Sequence, residues 1–166
     1  WKDLNHKNNK EEISIRAKNL SKREELIDSR TESERILEED RNYFWFELDG
    51  EKKLFTENFS PGKQVYKEKL LNKKGIEYRN WEPFRSKLAA CIMNGLEEFP
   101  FRKKSSILYL GVSTGTTISH ISDIVGPKGM IFGVEHSSRV ARDFLDRVAV
   151  YRKNIVQICL LYTSDA

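Results

Sequence analysis

The run Ser105–Ser138, SSILYLGVSTGTTISHISDIVGPKGMIFGVEHSS, constrains the fold more than any other part of the chain. An apolar stretch, Ile107 to Leu110, meets a turn from Gly111 to Gly115. A helical segment, Thr116 to Val125, follows, and the turn GPKG leads to a second apolar stretch, Met130 to Val134, that ends on Glu135. Short apolar runs bounded by glycine read as strands, and a helix between two of them is the crossover that parallel pairing requires. A third helical segment, SSRVARDFLDRVAVYR, and a third strand-like run, Asn154 to Cys159, continue the alternation. The region is therefore predicted to be α/β: the first half of a Rossmann-like, doubly wound sheet whose crossovers are long enough for parallel pairing.

In such a sheet ligands sit beyond the carboxyl ends of the strands, next to the first one. Gly111 lets the backbone turn sharply and lets a ligand come close, and the free amides at the helix start, near Thr116 and Thr117, can hold a carboxylate. Glu135 stands twenty residues after Gly115. That is the spacing at which an acidic side chain meets the two hydroxyls of a ribose, so the expected ligand contains an adenosine-like sugar. GVSTGT lacks the middle glycine of the dinucleotide fingerprint, which weakens NAD. Gly111–Gly115 also spells the G-x-S-x-G of a serine hydrolase, but His120 on the same helix and His136 after the next strand do not follow the hydrolase order. S-adenosyl-L-methionine suits the pattern best, with a ribose for Glu135, an amino-acid end for the loop and helix start, and no pyrophosphate. A purely structural turn would leave Glu135 unexplained.

Upstream, EPFRSKLAACIMNGLEEF is predicted to be helical, with Leu88, Ala89, Cys91, Ile92 and Leu96 on one side, Pro83 near its start and Pro100 beyond its end. Before it, Asp49-Gly50 marks a tight hairpin, SPGK a turn, QVYKEKLL a half-buried strand, NKKG another turn and IEYRNW a further strand. These make a small antiparallel β domain over residues 41–81, with the N-terminal part of the α/β domain over 82–166. Residues 1–40 form a charged leader, partly helical or disordered, in which Ser21 with Glu24 and Thr31 with Glu34 have capping-box spacing. The leader carries a net charge of −2 and residues 41–166 a net charge of +6, so the basic surplus falls on the part predicted to fold and suits a polyanionic partner. Two cysteines, Cys91 and Cys159, are too few for a disulfide framework, and the three histidines show no metal-ligand spacing with them. No apolar run approaches the ~20 residues of a membrane span.

The blocks VYKEKLL, IEYRNWEPFRSKLAA, LYLGVSTGTTISHISDIVGPKGMIFGVEHSSRVARDFL and RKNIV, in that order, resemble the fibrillarin family, the S-adenosyl-L-methionine-dependent RNA 2′-O-methyltransferases of box C/D ribonucleoproteins. The resemblance runs from about Tyr43 to Ile158 and is closer to archaeal than to eukaryotic members, implying a cytoplasmic protein, or a nucleolar one if eukaryotic. It implies that Thr116 and Thr117 contact the cofactor, that Glu135 binds its ribose, and that Lys87 is the first lysine of the catalytic set. His136 stands where the family usually has a phenylalanine beside the adenine, and Arg85 becomes a candidate for the RNA surface. Methylation of rRNA or tRNA under a box C/D guide RNA, with a Nop-type scaffold protein and a kink-turn-binding protein as partners, is implied too. A non-catalytic RNA-binding or assembly module that kept the cleft is the alternative.

The family's remaining catalytic groups, an aspartate, a second lysine and an acidic or histidine partner, come from strands beyond residue 166. Its Asp-Ala pair is expected near Leu161 and Tyr162, whereas Asp165-Ala166 comes four residues late and the tail CLLYTSDA departs from the family. The 166-residue chain by itself is expected to expose an unpaired apolar first strand, to be poorly soluble and to be inactive.

Overall fold

The computed structural model describes residues 42–159, so the leader's capping boxes and the tail after Cys159 lie outside the described residues. The chain opens as a hairpin of β1 (Tyr43–Leu48) and β2 (Glu51–Glu57), paired so that Leu48 faces Glu51. Asp49 and Gly50 between them have φ of 56° and 75°, the left-handed pair of a type I′ turn. Lys74 and Gly75, with φ of 52° and 81°, repeat the device between β3 (Leu70–Lys73) and β4 (Ile76–Asn80). The four strands form an antiparallel sheet in the order β1-β2-β4-β3.

Two expectations need correction here. QVYKEKLL is not one strand: only Leu70 and Leu71 of it enter β3. The Glu68 carboxylate accepts the backbone N–H groups of Val65 (3.0 and 3.1 Å) and Tyr66 (2.8 Å), bending Gln64–Lys69 into a loop around a buried acid. Nor is Glu82–Phe99 one helix. Pro83–Arg85 form a single 3₁₀ turn, and α1 (Lys87–Met93) starts afresh at Ser86, whose hydroxyl accepts from the Ala89 amide. Gly95, at φ 84°, ends α1: its N–H donates to Ile92 and that of Leu96 to Cys91, the paired bonds of a Schellman cap. Ala89 and Ile92 are buried as predicted, whereas Cys91 is exposed.

The second half is the predicted α/β unit. Strands β5 (Ser106–Leu110), β6 (Met130–Glu135) and β7 (Ile155–Cys159) pair in parallel in that order, connected by α2 (Thr116–Val125) and α3 (Ser138–Arg147). The third helical segment is shorter than predicted and finishes in a 3₁₀ turn, Ala149–Tyr151. Ile131 and Ile155 pack with Ile118, Ile121, Phe144 and Val148, while Leu108, Leu110, Phe132, Val156 and Ile158 are exposed. Among the described residues no helix is long and apolar enough to cross a membrane, and no group of His, Cys, Asp or Glu could hold a metal.

Helix α2 is buried nearly all round because the antiparallel sheet covers the side that the parallel sheet leaves free. Leu54 of β2, Trp81, Ala89 and Ile92 of α1, Phe99 and Ile124 of α2 make a second apolar core. Beside it lies a charged one. Arg79 of β4 pairs with Glu68 (2.6 Å) and Asp123 (2.9 Å), and Arg152 pairs with Asp123 (2.6 Å), all with side chains at most 2% exposed. The two cations and two anions cancel, which is the condition for burying them.

Candidate functional site

The carboxyl ends of β5 and β6 meet at the glycine turn. Gly111 has φ 77°, and a Cβ added there would meet nothing within 4 Å, so the turn's outer side is open space. Gly115, at φ 88°, is the opposite case: a Cβ would lie 2.8 Å from the Phe144 ring and 2.9 Å from Val148. One glycine keeps a surface clear and the other lets the turn press onto α3. Gly115 is also the N-cap of α2 and supplies no side-chain cap, which leaves the first-turn amides to a ligand or to water.

Glu135 closes the mouth of this turn. Its Oε2 accepts the Ser113 amide (2.9 Å), and its Oε1 accepts the amides of His136 (3.1 Å) and Ser137 (3.0 Å). The Ser137 amide, then that of Ser113, holds the carboxyl below its ordinary range. A carboxylate offers about four acceptor positions. Three are used within the chain, so Oε2 keeps one for a further donor. His136 projects into solvent with its Nδ1 3.2 Å from Glu135 Oε1.

The remaining predicted residues gather at the start of α2. Thr116 is nine-tenths buried. Thr117 donates its hydroxyl to Ser86 Oγ (2.9 Å), the N-cap of α1, and Lys87 is the exposed first residue of that helix. A single hydrogen bond therefore couples the helix that carries Lys87 to the glycine turn. Gly111 opens the turn, Thr116 and Thr117 start α2, Glu135 reaches the turn through the Ser113 amide with His136 beside it, and Lys87 follows Ser86, the partner of Thr117.

The sequence does not single out Ser86, and it marks Ser113 only as the serine of the G-x-S-x-G pattern. Ser86 shows the ordinary N-cap signal, a serine followed by a helix former, but lies inside a run with helical periodicity from Glu82. Ser113, at φ 51°, contributes its backbone amide, which no sequence pattern displays.

The family model for fibrillarin matches residues 35–161, every described residue included. The fibrillarin-like rRNA/tRNA 2′-O-methyltransferase of Pyrobaculum calidifontis is 50% identical over 111 residues, covering 66% of this chain and 47% of the relative. Aeropyrum pernix fibrillarin, solved with natively bound S-adenosyl-L-methionine, superposes with a TM-score of 0.70 at 46% identity, covering 72% of this chain and 52% of that one. A fibrillarin/Nop5p complex gives 0.58 at 37% identity, covering 73% and 52%. The chain thus spans about half the length of the relatives it matches. Because the match takes in both sheets together with each element that frames the glycine turn, the chain belongs to the fibrillarin family.

Proposed function

We propose that this chain forms the cofactor-binding half of an S-adenosyl-L-methionine-dependent RNA 2′-O-methyltransferase. One observation carries the reading: the Glu135 carboxylate is fixed at the lip of an open glycine turn by the Ser113 amide, so sugar acceptor and backbone cradle are a single unit. The residues fit the cofactor. The clear space at Gly111 admits a ligand against the backbone, the uncapped amides of α2 suit its carboxylate, and the spare position on Glu135 Oε2 accepts one ribose hydroxyl. A bidentate grip on both hydroxyls would displace the Ser113 amide. His136 offers a solvent-exposed ring to lie against the adenine.

S-adenosyl-L-methionine, when bound, supplies an activated methyl group on a sulfonium. The chain's own task is the acceptor. A ribose 2′-hydroxyl must shed its proton as it attacks, and the role assigned to Lys87, first residue of the helix whose N-cap Ser86 accepts from Thr117, is to stabilise the developing oxyanion with its ammonium. Holding the two reactants in line removes much of the entropic barrier. The rRNA and tRNA named for the relatives are the expected substrates, and the fibrillarin/Nop5p complex supports a Nop-type partner. Guide RNA and a kink-turn-binding protein complete the proposed assembly, and the archaeal relatives favour a cytoplasmic place for it.

Calorimetry on the full-length protein tests this. S-adenosyl-L-methionine should bind once per chain, Glu135→Ala should abolish binding, and Lys87→Ala should leave affinity intact while lowering methyl transfer about 10²-fold or more. No binding by a folded wild-type protein would refute the enzyme reading and leave a non-catalytic RNA-binding module.

A further inference from the structure

A hollow of about 370 Å³ lies at the far end of α2 from the glycine turn. It opens where α2 finishes at Val125 and where β5 and β6 begin, so about 15 Å of helix separates it from the proposed cofactor cradle. Buried Ile124 and half-buried Phe44 and Phe59 give it apolar walls. Three exposed lysines, Lys103, Lys104 and Lys128, also line it, and none of them forms an ion pair among the described residues. The dipole of α2 favours one cation at its carboxyl end, but three without partners repel each other unless an anion joins them.

The lysines stand on backbone that is already fixed. Lys103 and Lys104 fill the middle of a turn closed by the Ser105 amide on the Arg102 carbonyl (3.2 Å), and the Lys104 amide donates to the Val125 carbonyl (2.9 Å). Lys128 follows Pro127 in a turn closed by the Gly129 amide on the Gly126 carbonyl (3.1 Å). Both turns are thereby tied to the end of α2, which limits the ordering cost of capturing a ligand. Two carboxylates line the same hollow. Asp123 has both oxygens taken by Arg79, Arg152, the Thr56 hydroxyl and the Phe59 amide, whereas the exposed Glu57 carboxylate accepts no hydrogen bond among the described residues.

We infer that this hollow docks an acidic segment of a partner protein, one apolar side chain of the segment lying against Phe44, Phe59 and Ile124 and its flanking carboxylates on Lys103, Lys104 and Lys128. An apolar anchor in a pocket ringed by complementary charge gives a short peptide both affinity and register. Glu57 decides between a peptide and a nucleic acid. The amides of an extended peptide can donate to it, while a phosphodiester backbone carries acceptors only and is repelled. The inference does not depend on the methyltransferase reading.

The test is fluorescence anisotropy of two labelled, end-capped peptides against the full-length protein at low and moderate salt. One is Glu-Asp-Glu-Phe-Glu-Asp-Glu, and the other has alanine in place of its phenylalanine. The phenylalanine peptide should bind saturably and the alanine peptide about 10-fold or more weakly. Lys104→Gln and Lys128→Gln, both at exposed positions, should each weaken the phenylalanine peptide about 2- to 5-fold and blunt its sensitivity to salt. S-adenosyl-L-methionine affinity, measured in parallel by calorimetry, should stay constant in both variants. Absence of saturable binding by the unsubstituted protein, equal binding of the two peptides, or peptide affinities untouched by both substitutions would overturn the inference. So would tighter binding of an oligouridylate of similar charge that the same substitutions weaken, which assigns the hollow to RNA. Loss of Nop-type scaffold binding in the two variants would overturn it as well, by making the hollow part of that interface. Should the unsubstituted protein take no cofactor while the peptide results hold, the methyltransferase reading alone fails.

Discussion

Replacing Asp123 with asparagine should be among the most damaging isosteric changes available to the described residues. Asp123 Oδ2 accepts from Arg79 (2.9 Å) and from the Thr56 hydroxyl (2.7 Å), while Oδ1 accepts from Arg152 (2.6 Å) and the Phe59 amide (3.0 Å). The cluster of Arg79, Arg152, Glu68 and Asp123 is neutral as it stands; Asp123→Asn leaves it at +1 with no water to screen the charge. The new NH₂ also points donors at donors. Breaking a buried pair in this way costs about 3–5 kcal/mol, a large part of the roughly 5–15 kcal/mol that keeps a domain folded. At a urea dependence of about 2 kcal/mol/M, the midpoint should fall by roughly 2 M. Urea unfolding followed by far-UV circular dichroism reads this directly. The decisive variant is the double one, Asp123→Asn with Arg152→Met. It restores neutrality and removes the Arg152 Nη2 group, which is buried without a partner among the described residues. The double variant should lose at least 1 kcal/mol less than the sum of the singles. Losses that add within about 0.5 kcal/mol would refute the charge-balance reasoning and leave only packing.

His120 makes stability depend on pH. Burial, and then the charges of Arg79 and Arg152, push its imidazole well below the ordinary 6.5. The unfolded chain therefore takes up a proton near pH 6.5 that the folded chain refuses, so stability is full above that pH and declines below it by up to about 1.4 kcal/mol per unit. Unfolding free energies at pH 7.0, 6.0 and 5.5, where carboxylates still contribute little, should show the decline in the wild type and a flatter profile in His120→Gln; equal slopes would contradict it. The two glycines of the turn should separate stability from binding. Gly115→Ala forces a methyl into Phe144 and Val148 at a left-handed φ and should cost about 2–4 kcal/mol in thermal unfolding. Gly111→Ala, with open space around it, should cost only about 1 kcal/mol yet weaken cofactor binding measured by calorimetry.

The hairpin turns, the crossover helix and the strand that ends on Glu135 are visible in the sequence because each is a local pattern. Asp49-Gly50 needs only its own φ angles, and Thr116–Val125 is bounded by glycine on both sides. The buried cluster has no such pattern. Glu68, Arg79, Asp123 and Arg152 come from four elements spread over 84 residues, and each reads as a solvated charge until its partner arrives. Glu68 also explains the misread strand, since alternation in QVYKEKLL holds only if its acid faces water. At the site the acid and the glycines are legible, whereas the Ser113 amide and the Thr117–Ser86 bond are long-range consequences of folding.

The buried polar network gives the small antiparallel sheet a purpose. Along α2, Ser119, His120, Ser122 and Asp123 carry polar atoms into the interior, where a helix of an ordinary α/β layer would face water. His120 stacks on Trp81 at 4.9 Å, with Nδ1 2.6 Å from the Thr56 hydroxyl and Nε2 2.8 Å from that of Tyr66. Those hydroxyls also contact Asp123 and the Asn80 carbonyl, and two hydroxyl hydrogens with one ring hydrogen must serve four contacts. A second ring proton would satisfy all four. It would also unbalance a cluster that is neutral without it, so charge prevails over the hydrogen-bond count and the ring stays neutral. Such a cluster tolerates little displacement, and it grips α2 within one turn of Thr116 and Thr117. The sheet thereby fixes the direction of the helix whose uncapped amides and glycine turn form the proposed cofactor cradle. Loosening the network should therefore weaken cofactor binding through the direction of α2, and Tyr66, whose hydroxyl holds His120, lines a hollow with Thr114 and Thr116.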